Sequence, residues 1–137
     1  MNQITARDFA PADPILPLYQ EWRAARATWY ELADLPENGN WDMPESLDAA
    51  AREEQAFTKM IETLPTTQAG LAALVDVLWS VAAPDLIGDQ HAHYAERLEE
   101  PANKLMITLW RATSGHEGLP PSAFPRGKRT GDLLNQE

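Results

Sequence analysis

The sequence predicts an all-α protein, a single small helical bundle of about four helices at residues 14–34, 46–63, 67–83 and 89–114. Three observations predict it. Apolar residues recur at alternating spacings of three and four. Prolines and cap residues punctuate those stretches. No run alternates with period two for long enough to make a strand. At 137 residues the chain is expected to form one domain, able to bury roughly 65–70% of its unfolded surface in one core. Residues 1–12 read as an N-terminal arm, 13–115 as the bundle and 116–137 as a disordered tail.

Residues 1–12 show no periodicity and contain Pro11. Asp13-Pro14 then reads as a helix start, because Asp can accept from free amides and Pro is tolerated in a first turn. Ile15, Leu18, Trp22, Ala25, Trp29 and Leu32 continue from it as one apolar stripe, with Arg23 and Arg26 off it. The segment from Leu35 to Glu45 holds two prolines and Asn38-Gly39 and reads as a loop, with Trp41 and Met43 folding back onto the bundle. Ser46 reads as the next cap, followed by a face of Leu47, Ala50, Phe57, Ile61 and Leu64, and Pro65 stops that helix.

Thr66-Thr67 offers the cap of the third helix. Leu71, Leu74, Val75, Leu78, Trp79 and Ala82 give it the broadest apolar face, so it should be the central helix. The fourth helix starts near Asp89, with a stripe of His91, Ala95, Leu98, Ala102, Leu105, Leu109 and Ala112. Pro101 lies in the middle of it. The stripe keeps phase across the proline, so a helix kinked at Pro101 is expected, closed by Gly115. After Gly115 the chain is rich in Gly, Pro and Ser and carries the basic run Arg126-Gly127-Lys128-Arg129.

The net charge is −10, unevenly spread. Residues 31–64 carry nine acids against Arg52 and Lys59, which leaves −7 there. Such a surface repels phosphates and anionic lipids, so neither nucleic acid nor membrane is expected as a partner. The absence of cysteine excludes disulfides, thiolate catalysis and Cys-based zinc sites. MNQITARDFAPADP has no apolar leader, and the most apolar stretch, 69–83, is too short to span a bilayer; the chain is expected to be cytoplasmic.

The run Pro65-Thr66-Thr67-Gln68-Ala69-Gly70-Leu71-Ala72-Ala73-Leu74-Val75, with the Asp13-Pro14-Ile15 helix start, resembles a group of small uncharacterised helical proteins of rhizobia, other alphaproteobacteria and their phages. The resemblance covers about residues 13–110 and implies a helical fold and a bacterial or phage origin, with no activity attached. The tryptophan-rich first helix and Pro101 depart from the group's pattern. Read physically, the same run is a cap at Thr66 or Thr67, a close helix approach at Gly70 and the start of a buried face.

No catalytic, cofactor-binding or metal residue is assigned, and no cofactor is expected. His91 and His93 are two apart and point about 200° apart on a helix, so they cannot share an ion. The best trio, Asp89, His93 and Glu96, offers one histidine on one helix face, which is a poor metal site. Glu-x-x-His, Gly-x-Ser-x-Gly, P-loop and dinucleotide patterns are absent. The anomaly is five tryptophans. Trp22, Trp29 and Trp41 are the candidate interface residues, with Trp29 favoured for the core because Ala25 and Leu32 flank it. Asp34, Glu37, Asp42, Glu45, Asp48, Glu53, Glu54 and Glu62 form a candidate acidic band. Two functions are therefore weighed. One is a non-enzymatic interaction protein that binds a protein partner or a second copy. The other is an acidic phage-type inhibitor that imitates nucleic acid to block a DNA-binding protein. Imitation needs the acids in a continuous band with phosphate-like spacing, and simple solubility needs only scatter.

Overall fold

The computed structural model of the chain describes residues 13–84 and 93–123. The architecture is the all-α small bundle that periodicity predicts: α1 (Ile15–Ala33), α2 (Pro44–Met60), α3 (Gln68–Ala82), α4 (Tyr94–Leu98) and α5 (Pro101–Ser114), with short 3₁₀ turns at Pro36–Asn38 and Pro121–Ala123. No helix among the described residues is long and apolar enough to cross a membrane.

α1 and α2 form an antiparallel hairpin. The first half of α1 (Ile15, Tyr19, Trp22) meets the last half of α2 (Ala56, Met60), and Ala73 and Val77 of α3 close this cluster. Pro44 occupies the first turn of α2, where its missing N–H costs nothing. Ser46 is not the cap. It lies inside the first turn, buried, and its hydroxyl accepts from Nδ2 of Asn38 at 2.7 Å. Asn38 also donates to the Leu32 carbonyl at 2.9 Å and accepts from the Met43 amide at 3.0 Å, so one buried amide shapes the whole connection.

The buried face of α2 differs from the predicted stripe, of which Phe57 does pack against the core. Leu47 and Ile61 are more than half exposed and Leu64 is 85% exposed, whereas Ser46, Ala49, Ala56 and Met60 are buried. The largest apolar residues suggested one face; the small residues of another let α2 approach α1 closely, and close approach buries more backbone and makes denser contact.

α3 is central, as expected, but Leu71, Leu78 and Ala82 of its predicted apolar face are exposed, while Ala72, Ala73 and Val77 are buried. Thr67 caps it, its hydroxyl accepting from the Gly70 amide at 3.0 Å. One side packs on α1 and α2. The other packs antiparallel on α5 through Ala72, Val75 and Trp79 against Met106, Ile107 and Trp110.

The predicted fourth helix is two helices, not one kinked at Pro101. Glu100 is extended (φ −62°, ψ 140°) and Pro101 opens α5 at its first position. A residue before proline is pushed out of the α region, so the chain breaks at Glu100 rather than bending through it. Asn103 bridges the break, donating to the Arg97 carbonyl at 2.7 Å and to Glu100 Oε1 at 3.2 Å. The expected start at Asp89 lies outside the described residues. The expected stripe is also on the wrong face: Ala102, Leu105, Leu109 and Ala112 are exposed, and Asn103, Met106, Ile107 and Trp110 are buried.

Gly115 closes α5 in the left-handed region (φ 76°), as predicted. The expected disordered tail does not begin there. Residues 116–123 fold back along α3 and α5. Leu119 packs beside Trp79, Met106 and Ile107, and Pro120 and Ser122 are buried. Residues 124–137, the rest of that expected tail, lie outside the described residues.

Candidate functional site

Two buried carboxylates are the first candidates for chemistry, and both are structural. Asp13 is 3% exposed. Its Oδ1 accepts from the Ile15 amide at 2.9 Å; its Oδ2 accepts from the Thr66 amide at 2.9 Å, the Thr67 amide at 2.7 Å and the Thr67 hydroxyl at 2.6 Å. Burial pushes its pKa up, but the hydrogen bonds from the Thr67 hydroxyl and the three amides outweigh this and hold the carboxyl below its ordinary 3.8. A Cβ on Gly70 would collide with this carboxylate. The Asp-Pro-Ile and Pro-Thr-Thr-x-x-Gly segments that stand out in the sequence are thus two halves of one staple joining the N-termini of α1 and α3.

Asp76 is fully buried in the middle of α3. The Tyr19 hydroxyl donates to its Oδ2 at 2.6 Å and the Ser122 amide to its Oδ1 at 2.7 Å, while the Ser122 hydroxyl donates to its backbone carbonyl at 2.8 Å. Burial first, then the hydrogen bond and charge of Asp76, raise the Tyr19 pKa well above the tyrosine range. The carboxylate holds residues 121–123 onto the bundle and is closed off by its own partners.

The described histidines sit apart from these groups. His93 lies 3.8 Å from Glu96 with both side chains well exposed, and His116 stacks on Trp110 at 6.3 Å. Asp89, the third member of the metal trio considered from sequence, lies outside the described residues. No group of three or more His, Asp or Glu among the described residues is arranged to hold a metal ion.

The tryptophans divide differently from expectation. Trp22, a candidate interface residue, is 1% exposed, stacked on Tyr19 with the Arg26 guanidinium 4.7 Å from its ring. It is core. Trp29, expected in the core, is half-buried at the loop end of α1, where it meets Trp41 at 5.9 Å and Tyr30 at 5.2 Å. Trp41 is 54% exposed and adopts φ 59°. That conformation costs a bulky residue about 1–2 kcal/mol, offset here by the Trp29 contact and by its amide bond to the Asn38 carbonyl at 2.9 Å.

The eight acids do not share a face. At about 100° per residue, Glu45, Asp48, Glu53 and Glu54 fan out over three sides of α2. Glu53 pairs with Arg26 at 3.0 Å and Asp48 with Arg52 at 2.9 Å. Asp34 caps the end of α1, Glu37 sits in the 3₁₀ turn, Asp42 is in the loop and Glu62 lies past α2.

Sequence reasoning missed a different surface. Leu71 and Leu78 on α3 are each 44% exposed, and Leu105 and Leu109 on α5 are 63% and 45% exposed. By helical phase, Leu71 and Leu78 lie roughly 140–160° around α3 from Asp76, and Leu105 and Leu109 roughly 120–160° around α5 from Arg111. Asp76 and Arg111 are the residues that bond the 118–122 segment. Both leucine rows therefore turn away from that segment and share one side of the α3–α5 pair. Neither helix puts a charge on that side: α3 carries only the buried Asp76, and Lys104 and Arg111 sit on the other flank of α5. The signal available in sequence was this lack of charge on an apolar row too wide for one neighbour.

Fold and surface together define the class: a small all-α bundle with an apolar side exposed among the described residues. No protein-family model, curated protein or solved structure matches the chain.

Proposed function

We propose that this chain is a non-enzymatic interaction protein that self-associates through the leucine rows of α3 and α5. One observation carries the reading: four large aliphatic side chains, Leu71, Leu78, Leu105 and Leu109, stand at least 44% exposed on one uncharged side. Exposed apolar residues scattered singly are ordinary, but rows gathered on adjacent helices mark interfaces. A second copy suits this face on electrostatic grounds. In a chain of net charge −10, like-charge repulsion opposes most encounters, and an uncharged side is where two copies meet with least opposition. The fan of carboxylates around α2 argues against a continuous phosphate-like band.

Sedimentation velocity over a range of concentrations tests the proposal. The wild-type mass is expected to rise from 15.3 kDa toward twice that value as concentration increases. Leu78→Glu and Leu109→Glu should remain monomeric with unchanged helical circular dichroism. A wild-type protein that stays monomeric at the highest attainable concentration overturns self-association.

A further inference from the structure

A second surface lies where α1, α2 and α3 meet. There the structure holds an open groove of about 350 Å³. Trp22 and Phe57 supply its apolar floor and Val81, 64% exposed, its apolar lip; Ala50 leaves room on the α2 side. The volume falls at the small end of the roughly 300–1,000 Å³ of ligand pockets.

The charges around the groove are unequal. Arg26 is committed: it pairs with Glu53 at 3.0 Å and lies over the Trp22 ring at 4.7 Å. Glu54, on the same rim, is exposed and has no ion pair among the described residues. α3 adds no cation, because its single charged residue, Asp76, is buried elsewhere. With Arg26 set against Glu53 and Glu54 the rim keeps one net negative charge, and both acids belong to the segment of net charge −7. An apolar floor beneath a free carboxylate suits a side chain pair in which a large apolar residue is followed one helical turn later by Lys or Arg.

We infer that this groove docks a basic amphipathic helix of a protein partner, an apolar side chain entering between Phe57 and Val81 and a cation meeting Glu54. This is the helix-in-groove mode of recognition, with the charge setting orientation and encounter rate. The inference rests on reading the chain as an interaction protein; the groove borders the leucine row, because Val81 follows Leu78 by three residues, so Glu54 on α2 is the position that tells the two apart.

The test uses the full chain and a fluorescent synthetic peptide, a 14-residue amphipathic helix of Leu and Lys alone, beside a matched peptide with Glu for every Lys. Fluorescence anisotropy should show saturable binding of the Lys peptide and none of the Glu peptide. Glu54→Lys should weaken binding at least tenfold, and Val81→Glu likewise, while Glu62→Lys, the same charge change away from the groove, stays within about twofold. Equal weakening by Glu54→Lys and Glu62→Lys would reduce the effect to overall charge and overturn the site. So would capture of the Glu peptide, absence of binding, or loss of binding in Leu109→Glu with Glu54→Lys unaffected, which moves the peptide to α3–α5. Sedimentation of Glu54→Lys, expected to match wild type, keeps this outcome distinct from that of self-association.

Discussion

At the scale of single residues, stability concentrates in a few side chains whose neighbours are remote in sequence. Trp22 and Trp29 sit seven apart on one helix, yet Trp22 is sealed in the cluster with Ala73 and Val77 of α3 while Trp29 is half-buried and meets Trp41 of the loop. Trp22→Ala is expected to cost about 3–5 kcal/mol and Trp29→Ala about 1–2 kcal/mol, read from urea denaturation. Tyr19→Phe should cost about 1–3 kcal/mol, because it leaves the buried Asp76 carboxylate short of a donor. Asp13 sets the acid limb. Its folded pKa lies below its ordinary 3.8, so its contribution is fully present above that ordinary value and is lost as the pH falls through the lowered folded value. The gap in thermal midpoint between wild type and Asp13→Asn should therefore be widest near neutrality and shrink below about pH 4. A gap independent of pH would show that the staple does not depend on the carboxylate charge.

At the scale of elements, the break before α5 can be told from a kink by one substitution. A proline inside a helix costs about 3 kcal/mol, so its removal should stabilise by that order. Pro101 opens a helix instead, and Pro101→Ala is expected to change stability by less than about 1 kcal/mol with helical circular dichroism unchanged. The two faces of α2 can be separated in the same way. Ala56→Leu should overpack the contact with α1 and cost about 1–3 kcal/mol. Leu47→Ala, on the exposed face, should fall within about 0.5 kcal/mol.

At the scale of the whole molecule, residues 116–123 belong to the fold. Asp76 holds Ser122 across 46 residues of chain, and Leu119 extends the core between α3 and α5. A chain ended at Gly115 should unfold at lower urea than the full chain, since it loses both Ser122 bonds to Asp76 and the Leu119 packing. Equal midpoints would make that segment dispensable. The same segment covers one side of the α3–α5 pair and leaves the leucine rows on the other side.

What the sequence by itself determined was where the helices run. Caps, prolines and three-four spacing act within a turn or two of chain, so α1, α2 and α3 fall within three residues of the predicted bounds at each end. The cap at Thr67 and the stop at Gly115 were legible for the same reason. Which face each helix buries was decided only by the tertiary structure. α2 and α5 each carry two rows that could pack, and the choice went to the small residues of α2 and to Met106, Ile107 and Trp110 of α5. The two buried aspartates were likewise illegible, because their partners lie 46 to 57 residues away along the chain. The candidate surfaces followed from those choices: packing one row of a helix inward leaves the other outside, and no local pattern records which of the two a neighbour will cover.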